Sequence, residues 1–445
     1  MSDTTPPALR RNLNALQVQL ISLGGIIGSA YFLGIGGTVA ELGPAVVPAF
    51  LLGGFIVWLV ARAMGELCVE MPREGSFVSC ARELIGSEWA AGVGWSYWLN
   101  WCAYVASEMI AGGMIMHYFL PGIPAIAWGA VFGVFITGVN LLNVKHFGTV
   151  ESVLALIKIA AIALFSVFGV LVWLGLTGSG GFLGTAHLTG GKGTAGLFPA
   201  GAAAVLMSMV LVLVNYQGTE LIALSAAETE DPRRSIAAAT RKVGVRIVAI
   251  FVLPLLILVS IFPYADGSIQ ESVFSSALSR HGFRWAAAFF SFTALTAAIS
   301  CANSGLYGAV RALYGLGKEA LAPAWVTRLN ASGVPHLATW ATIGTTWAFL
   351  PLYLVFQGTS FYTWLLSVSG LTGALCWISI SWCHLRFLLR ERGGKGAWVD
   401  RLAIFLQLLC LSLIPFHKDL RGCLLIGIPA FVLPMIATAL LRRRK

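Results

Sequence analysis

Three ionisable residues interrupt long apolar stretches of this chain: Glu108, Lys158 and Glu220. A charge at the centre of a membrane helix costs about 2.5–3.5 kcal/mol on insertion scales, so such residues default to a functional reading. Lys158 follows SVLALI and precedes IAAIALF. One reading is a lysine that snorkels to the interface. Its apolar stretch starts near Gly148, however, and about ten residues of helix put the ammonium roughly 15 Å deep, further than a lysine stem comfortably covers. The other reading is a desolvated lysine that takes and releases a proton. Glu108 follows Ser107 and precedes Gly112 and Gly113; it could pair with a substrate ammonium or be held neutral by burial. Glu220 ends the polar run Asn215-Tyr216-Gln217-Gly218-Thr219-Glu220. Capping the freed N–H groups of a following half-helix and contacting a substrate are equally open to it. Glu66, Glu151 and Glu228 fall near the ends of apolar stretches, where solvated or capping roles are expected.

The backbone around these residues is as informative as the side chains. The polar run at 215–220 lies between VLVLV and LIALSAA. Six such residues cannot all face lipid, and non-helical backbone at that depth is tolerated only around a protein-lined or wet cavity. The first apolar stretch carries Gly24, Gly25, Gly28, Gly34, Gly36 and Gly37, each costing about 1 kcal/mol in a helix interior relative to Ala. Close helix packing would also use such glycines. A second break five spans later favours two interrupted helices at matching positions, a pointer to a transporter binding site. Half-helix ends expose N–H groups with partial positive charge and carbonyls with partial negative charge. A small zwitterion matches that pair of sites, and an amino acid is the natural candidate.

The elements that must hold these groups follow from composition. Of 445 residues, 58% are apolar and 11% charged, against about 25% charged in an average soluble protein. That excludes a soluble enzyme, a disordered chain and a nucleic-acid module. Apolar stretches occur at 15–38, 44–65, 92–117, 122–143, 148–176, 199–226, 243–263, 283–312, 337–356, 361–387, 402–416 and 423–441. They predict an all-α polytopic membrane protein of about twelve spans. With both termini in the cytoplasm, 23 of the 29 Lys and Arg fall on that side, five fall opposite and Lys158 lies within a span. This asymmetry supports the topology through the positive-inside rule and accounts for the net charge of +10 without any nucleic acid. The eight cysteines form no C-x-x-C pair, so neither a metal site nor a disulfide framework is expected. No cofactor motif stands out, and no short apolar leader with a cleavage site opens the sequence.

Several motifs together resemble the bacterial amino acid permeases of the amino acid–polyamine–organocation superfamily, in the branch with the aromatic, lysine and GABA permeases. They are GGIIGSAYFLGIG (Gly24 to Gly36), MPREGSF (Met71 to Phe77), GWSYWLNW (Gly94 to Trp101), Glu108, YQGTELIALSAAETEDPRRSI (Tyr216 to Ile236) and SCANSGLYGAVRALYGLG (Ser300 to Gly317). The resemblance implies a LeuT-like fold, with two inverted five-helix repeats, broken helices one and six, and two extra helices. The corresponding divisions are a cytoplasmic segment 1–14, a first repeat 15–177, an extracytoplasmic loop 178–198, a second repeat 199–390, and two C-terminal helices with a basic tail at 391–445. It further implies that backbone N–H groups around Gly28, Ser29 and Ala30 hold a substrate carboxylate. Carbonyls of Ile26, Val214 and Gln217 would hold the ammonium, Tyr216 would gate the substrate, and Glu108 would face the pocket. Gly218 and Glu220 belong to the same break. Lys158 would stand where sodium-coupled relatives of the fold hold an ion, favouring proton coupling. Two departures stand out: Ala30 replaces the usual glycine, and Asn14-Ala15 replaces an Arg-His pair.

The expected activity is proton-coupled import of an amino acid by alternating access across the bacterial cell membrane. The alternatives are an exchanger on the same fold or an amino-acid-binding sensor using the 227–242 loop; no catalytic constellation suggests an enzyme. The mostly apolar interior, with Ser300, Asn303 and Ser304 among its small polar groups, leans toward a neutral substrate side chain. The partners are thus an amino acid, a proton and the lipid bilayer. Oligomeric state is not legible.

Overall fold

A computed structural model describes residues 20, 23–71, 76–141, 144–177, 181–189, 196–224, 240, 242–269, 271–330, 333–356 and 359–443. The 1–14 segment, Glu228 and most of the 227–242 loop lie outside the described residues. Among the described residues every regular element is a helix. The long ones are Val46–Glu70 (α1), Ser87–Phe119 (α2), Ala125–Leu141 (α3), Val144–Trp173 (α4), Arg284–Lys318 (α5), His336–Phe349 (α6), Thr359–Glu391 (α7), Ala397–Ser412 (α8) and Leu424–Arg443 (α9). Among the described residues, seven stretches are long and apolar enough to cross a membrane, including Leu23–Glu70, Thr149–Trp173, Val243–Ile261 and Arg421–Arg443. The short apolar run expected at 402–416 lies within one of them, Ala397–Phe416.

The 48-residue stretch Leu23–Glu70 is not one straight rod. The rings of Tyr31 and Phe50 lie 6.4 Å apart, whereas about nineteen residues of continuous helix would separate them by roughly 28 Å. The chain reverses at Gly43, whose φ of +56° suits glycine, with Pro44 directly after it.

Helix α2 is the hub. It packs against α5, α7, α3 and α9, and from Ala90 to Gly113 it is buried except at Trp95, Trp98 and Leu99. Its 33 residues could span about 50 Å and contain the apolar stretch expected at 92–117. Ser, Asn, Tyr and Gly face neighbouring helices, so α2 does not need the apolar coat that lipid demands. Helix α4 shows the opposite pattern. Glu151, Ala155, Lys158, Ile162, Phe165 and Val172 form one buried stripe, while Val153, Leu156, Leu164, Val167 and Val170 are exposed. That is a lipid face backed by a helical-period inner face.

The C-terminal pair is tied on by ions as well as by packing. Asp400 of α8 is buried; it accepts from Arg62 of α1 at 3.2 Å and lies 2.8 Å from His384 Nδ1 of α7. The other ring nitrogen of His384 is 3.0 Å from Glu66, which pairs with Arg392 at 2.5 Å. Replacing Asp400 by Leu strands Arg62 and His384 against an apolar group, and should cost on the order of 3 kcal/mol. Arg62→Ala removes the partly exposed arm of the same cluster and should cost under about 1 kcal/mol. Thermal unfolding in detergent ranks the two; an unchanged midpoint for Asp400→Leu would sink the clamp.

Candidate functional site

Two interrupted segments meet in the interior. In the first, a helical turn over residues 23–26 stops at Ile27 and Gly28, and the chain resumes as a π-turn, Ala30–Gly34, followed by the helix Ile35–Leu42. In the second, the helices Ala202–Met207 and Met209–Val214 give way to turns at 215–220 before Leu221–Leu224. The segments touch at glycines. A Cβ on Gly218, whose φ is +106°, would lie 2.6 Å from the backbone carbon of Gly25. Only a residue without a side chain allows both the backbone angle and the approach.

The break frees carbonyls, and Lys158 uses them. Its ammonium donates to the carbonyls of Gly24 at 2.7 Å and Ile27 at 2.9 Å, and to Ser300 Oγ of α5 at 2.8 Å. Lys158 is wholly buried, so it does not snorkel. Of the carbonyls between them, Gly25 O accepts from Cys301 Sγ at 2.9 Å.

On the other side of the break the Ser29 amide donates to both carboxylate oxygens of Glu108, at 3.0 Å each. The Ser29 hydroxyl lies 2.9 Å from Tyr362 OH of α7. Gly28 makes this possible, because a Cβ there would sit 2.3 Å from Glu108 Oε1. Helix α2 thus brings a carboxylate to a backbone amide at a helix start, the arrangement that suits an anion.

Glu220 turns back on its own break. It accepts from the Gly218 amide at 3.1 Å, Tyr97 OH of α2 at 3.0 Å and Trp377 Nε1 of α7 at 3.1 Å. These bonds tie the second break to α2 and α7. Tyr216 OH donates to the Phe50 carbonyl at 2.7 Å, and its ring lies 4.8 Å from that of Phe251. Gln217 Nε2 donates to Ser369 O at 2.8 Å, and Ser369 Oγ bonds Gln217 Oε1 at 2.9 Å and Asn100 Oδ1 at 2.5 Å. Ile26, Ala30 and Val214 are buried at the edges of the two breaks.

Two expectations need correction. Glu151 is not a solvated or capping group at a helix end: it is fully buried, accepting from Ser300 Oγ and, at 3.1 Å, from Asn303 Nδ2. Ser300 and Asn303 are accordingly spent on the Lys158–Glu151 pair and do not line a substrate pocket here. The signal for Glu151 was available, since residues seven apart share a helix face. The partners Tyr97, Trp377, Ser369 and Tyr362 carry no comparable signal, because their roles depend on which helices meet.

A cavity beside Leu23, Ile26, Tyr216 and Ile247 has a volume of about 10 Å³, room for about one water. Larger cavities lie toward opposite ends of the bundle. One of about 430 Å³ is bordered by Trp58, Arg62, Glu66 and Glu70 near the end of α1. Another, about 540 Å³, is bordered by Phe119 at the far end of α2 with Asp266, Glu271, Arg280 and Arg284.

The model of the amino acid permease family matches residues 17–414. The chain is 37% identical over 423 residues to the amino-acid permease RocC of Bacillus subtilis (strain 168), covering 94% of this chain and 89% of that protein. It is 34% identical over 394 residues to the lysine-specific permease LysP of Escherichia coli (strain K12), covering 86% and 80%. It is 33% identical over 408 residues to the gamma-aminobutyric acid permease of Bacillus subtilis (strain 168), covering 91% and 86%. These relatives are permeases rather than enzymes, and the family match spans both broken segments. The chain therefore belongs to the amino acid permease family, as a multi-pass membrane protein.

Proposed function

We propose that the protein imports an amino acid by proton symport through alternating access. The observation that carries this reading is the Lys158 ammonium on the carbonyls of Gly24 and Ile27. A monovalent cation at that point would need the same oxygen ligands; a lysine supplies the charge from the chain and can vary it only by gaining or losing a proton. Cavities toward opposite ends of the bundle suit a carrier that opens to one side at a time. Twelve spans, cytoplasmic termini, and inverted repeats over 15–177 and 199–390 belong to the same proposal, supported by the paired breaks and the charge asymmetry.

In this proposal the substrate carboxylate takes the Ser29 amide, with Gly28 and Ala30 beside it. Glu108 now occupies that amide with its own carboxylate. An arriving carboxylate displaces it, and the released Glu108 becomes a partner for the substrate ammonium beside the carbonyls of Ile26, Val214 and Gln217. Tyr216 closes over the site, with Gly218 and Glu220 holding the second break. The relatives named for lysine and γ-aminobutyric acid frame the substrate panel without choosing from it.

Three outcomes test this. In proteoliposomes of the purified protein, an inward proton gradient should drive accumulation of one or a few labelled amino acids, and an inward sodium gradient should not. Accumulation driven by sodium, or counterflow without net uptake, would overturn symport in favour of sodium coupling or exchange. Lys158→Ala should lower proton-driven accumulation more than tenfold while the protein still elutes as a folded species; retained accumulation would remove Lys158 from coupling. Glu108→Gln should weaken substrate binding by about tenfold, the order expected for losing one charge-assisted contact. Tighter binding by calorimetry would instead make Glu108 only a competitor for the Ser29 amide.

A further inference from the structure

Lys158 needs somewhere to send a proton, and the structure holds one oriented connection. Ser300 Oγ accepts from Lys158 Nζ at 2.8 Å and donates to Glu151 Oε1. A hydroxyl that accepts on one side and donates on the other is aligned for transfer in that direction. Glu151 lies two turns from Lys158 on the same buried stripe of α4, and both side chains are fully buried. Its second oxygen is fixed by Asn303 Nδ2, whose own amide oxygen accepts from Asn140 Nδ2 of α3 at 2.7 Å.

We propose that Glu151 is the relay group that receives the proton from Lys158 through Ser300. The inference rests on the proton-symport reading above and adds the exit route. In the transfer, Lys158 Nζ gives one proton to Ser300 Oγ as the Ser300 hydroxyl proton passes to Glu151 Oε1. Lys158 becomes a neutral amine, Glu151 a neutral acid and the serine is unchanged. Glu151 lies nearer the start of α4, which the charge asymmetry assigns to the cytoplasmic side, so the step moves the proton inward.

The surroundings favour this exchange. From its own helix Glu151 faces Lys158; from α5 it faces Ser300, Asn303 and Ser304; from the first broken segment it faces Gly24. Beyond Lys158 lie Glu108 and Cys301. A Cβ on Gly24 would overlap the Glu151 carboxylate. The carboxylate therefore sits directly against the segment whose movement would open the inner side, and that movement would expose it to water for release.

The test uses the full-length protein in proteoliposomes containing a pH-sensitive dye, with the amino acid that the uptake panel identifies. Wild type should acidify the lumen during uptake. Glu151→Gln and Ser300→Ala should each lower acidification and accumulation at least tenfold more than they lower counterflow. Glu151→Asp, which keeps a carboxylate, should restore part of the acidification. Ser300→Ala leaves Glu151 in place and decides the matter if Glu151→Gln does not fold. Acidification at the wild-type rate in both variants overturns the relay and leaves symport standing. Equal loss of acidification and counterflow also overturns it, marking Glu151 as a structural counter-charge. A wild type that takes up substrate without acidifying overturns symport and the relay together.

Discussion

An ammonium buried in a membrane protein must find acceptors, and Lys158 finds two of its three on backbone that an unbroken helix would not release. In a continuous helix the carbonyls of Gly24 and Ile27 would accept from amides one turn on. The stop at Ile27 and Gly28 turns them toward α4 instead. The break and the lysine thus stabilise each other: three hydrogen bonds to a charged group, at roughly 1.5–3 kcal/mol each, are of the size needed to offset the insertion cost of about 2.5–3.5 kcal/mol. Removing the lysine leaves open carbonyls, and closing the break leaves an unpaired charge. Ser300 and Glu151 extend the same cluster into α5 and along α4.

Absent side chains matter as much as present ones. Gly24 admits the Glu151 carboxylate, Gly28 admits that of Glu108, and Gly25 meets Gly218 backbone to backbone. Three helices and the second broken segment converge on one turn of chain because that turn has almost no side-chain bulk. The large groups stand one layer out, where Tyr31, Phe50, Tyr216 and Phe251 pack as rings. A small, polar centre inside an aromatic shell suits a site that must close around a compact zwitterion.

Much of this was legible in the sequence, because lipid imposes strict demands on composition. The apolar stretches, the break at 215–220 and the depth of Lys158 all follow from what hydrocarbon refuses to accommodate. Glu151 was misread because position near the end of a stretch was given more weight than its place on the Lys158 face of α4. Ser300 and Asn303 were misread because small polar residues on an inner face could serve a ligand or a neighbouring side chain equally well. The clamp of Asp400, His384 and Glu66 joins the neighbouring helices α7 and α8 to α1, from the other end of the chain, and pattern within any one helix says nothing about such partners.

Helix α2 carries a consequence for how the protein is made. Lipid accepts a helix leaving the insertion machinery according to its apolarity, and α2 is rich in Trp, Tyr, Ser and Gly and also carries Asn100 and Glu108. The segment that ends up most enclosed is thus among those least able to partition into the bilayer unaided. Glu108 finds the Ser29 amide early in the chain, but Trp89 and Asn100 are matched only when Ser379 and Ser369 of α7 arrive, well over two hundred residues further along. Biogenesis must therefore keep α2 sheltered until the second half of the chain has been synthesised, and the order of assembly is written into the same buried residues that organise the centre.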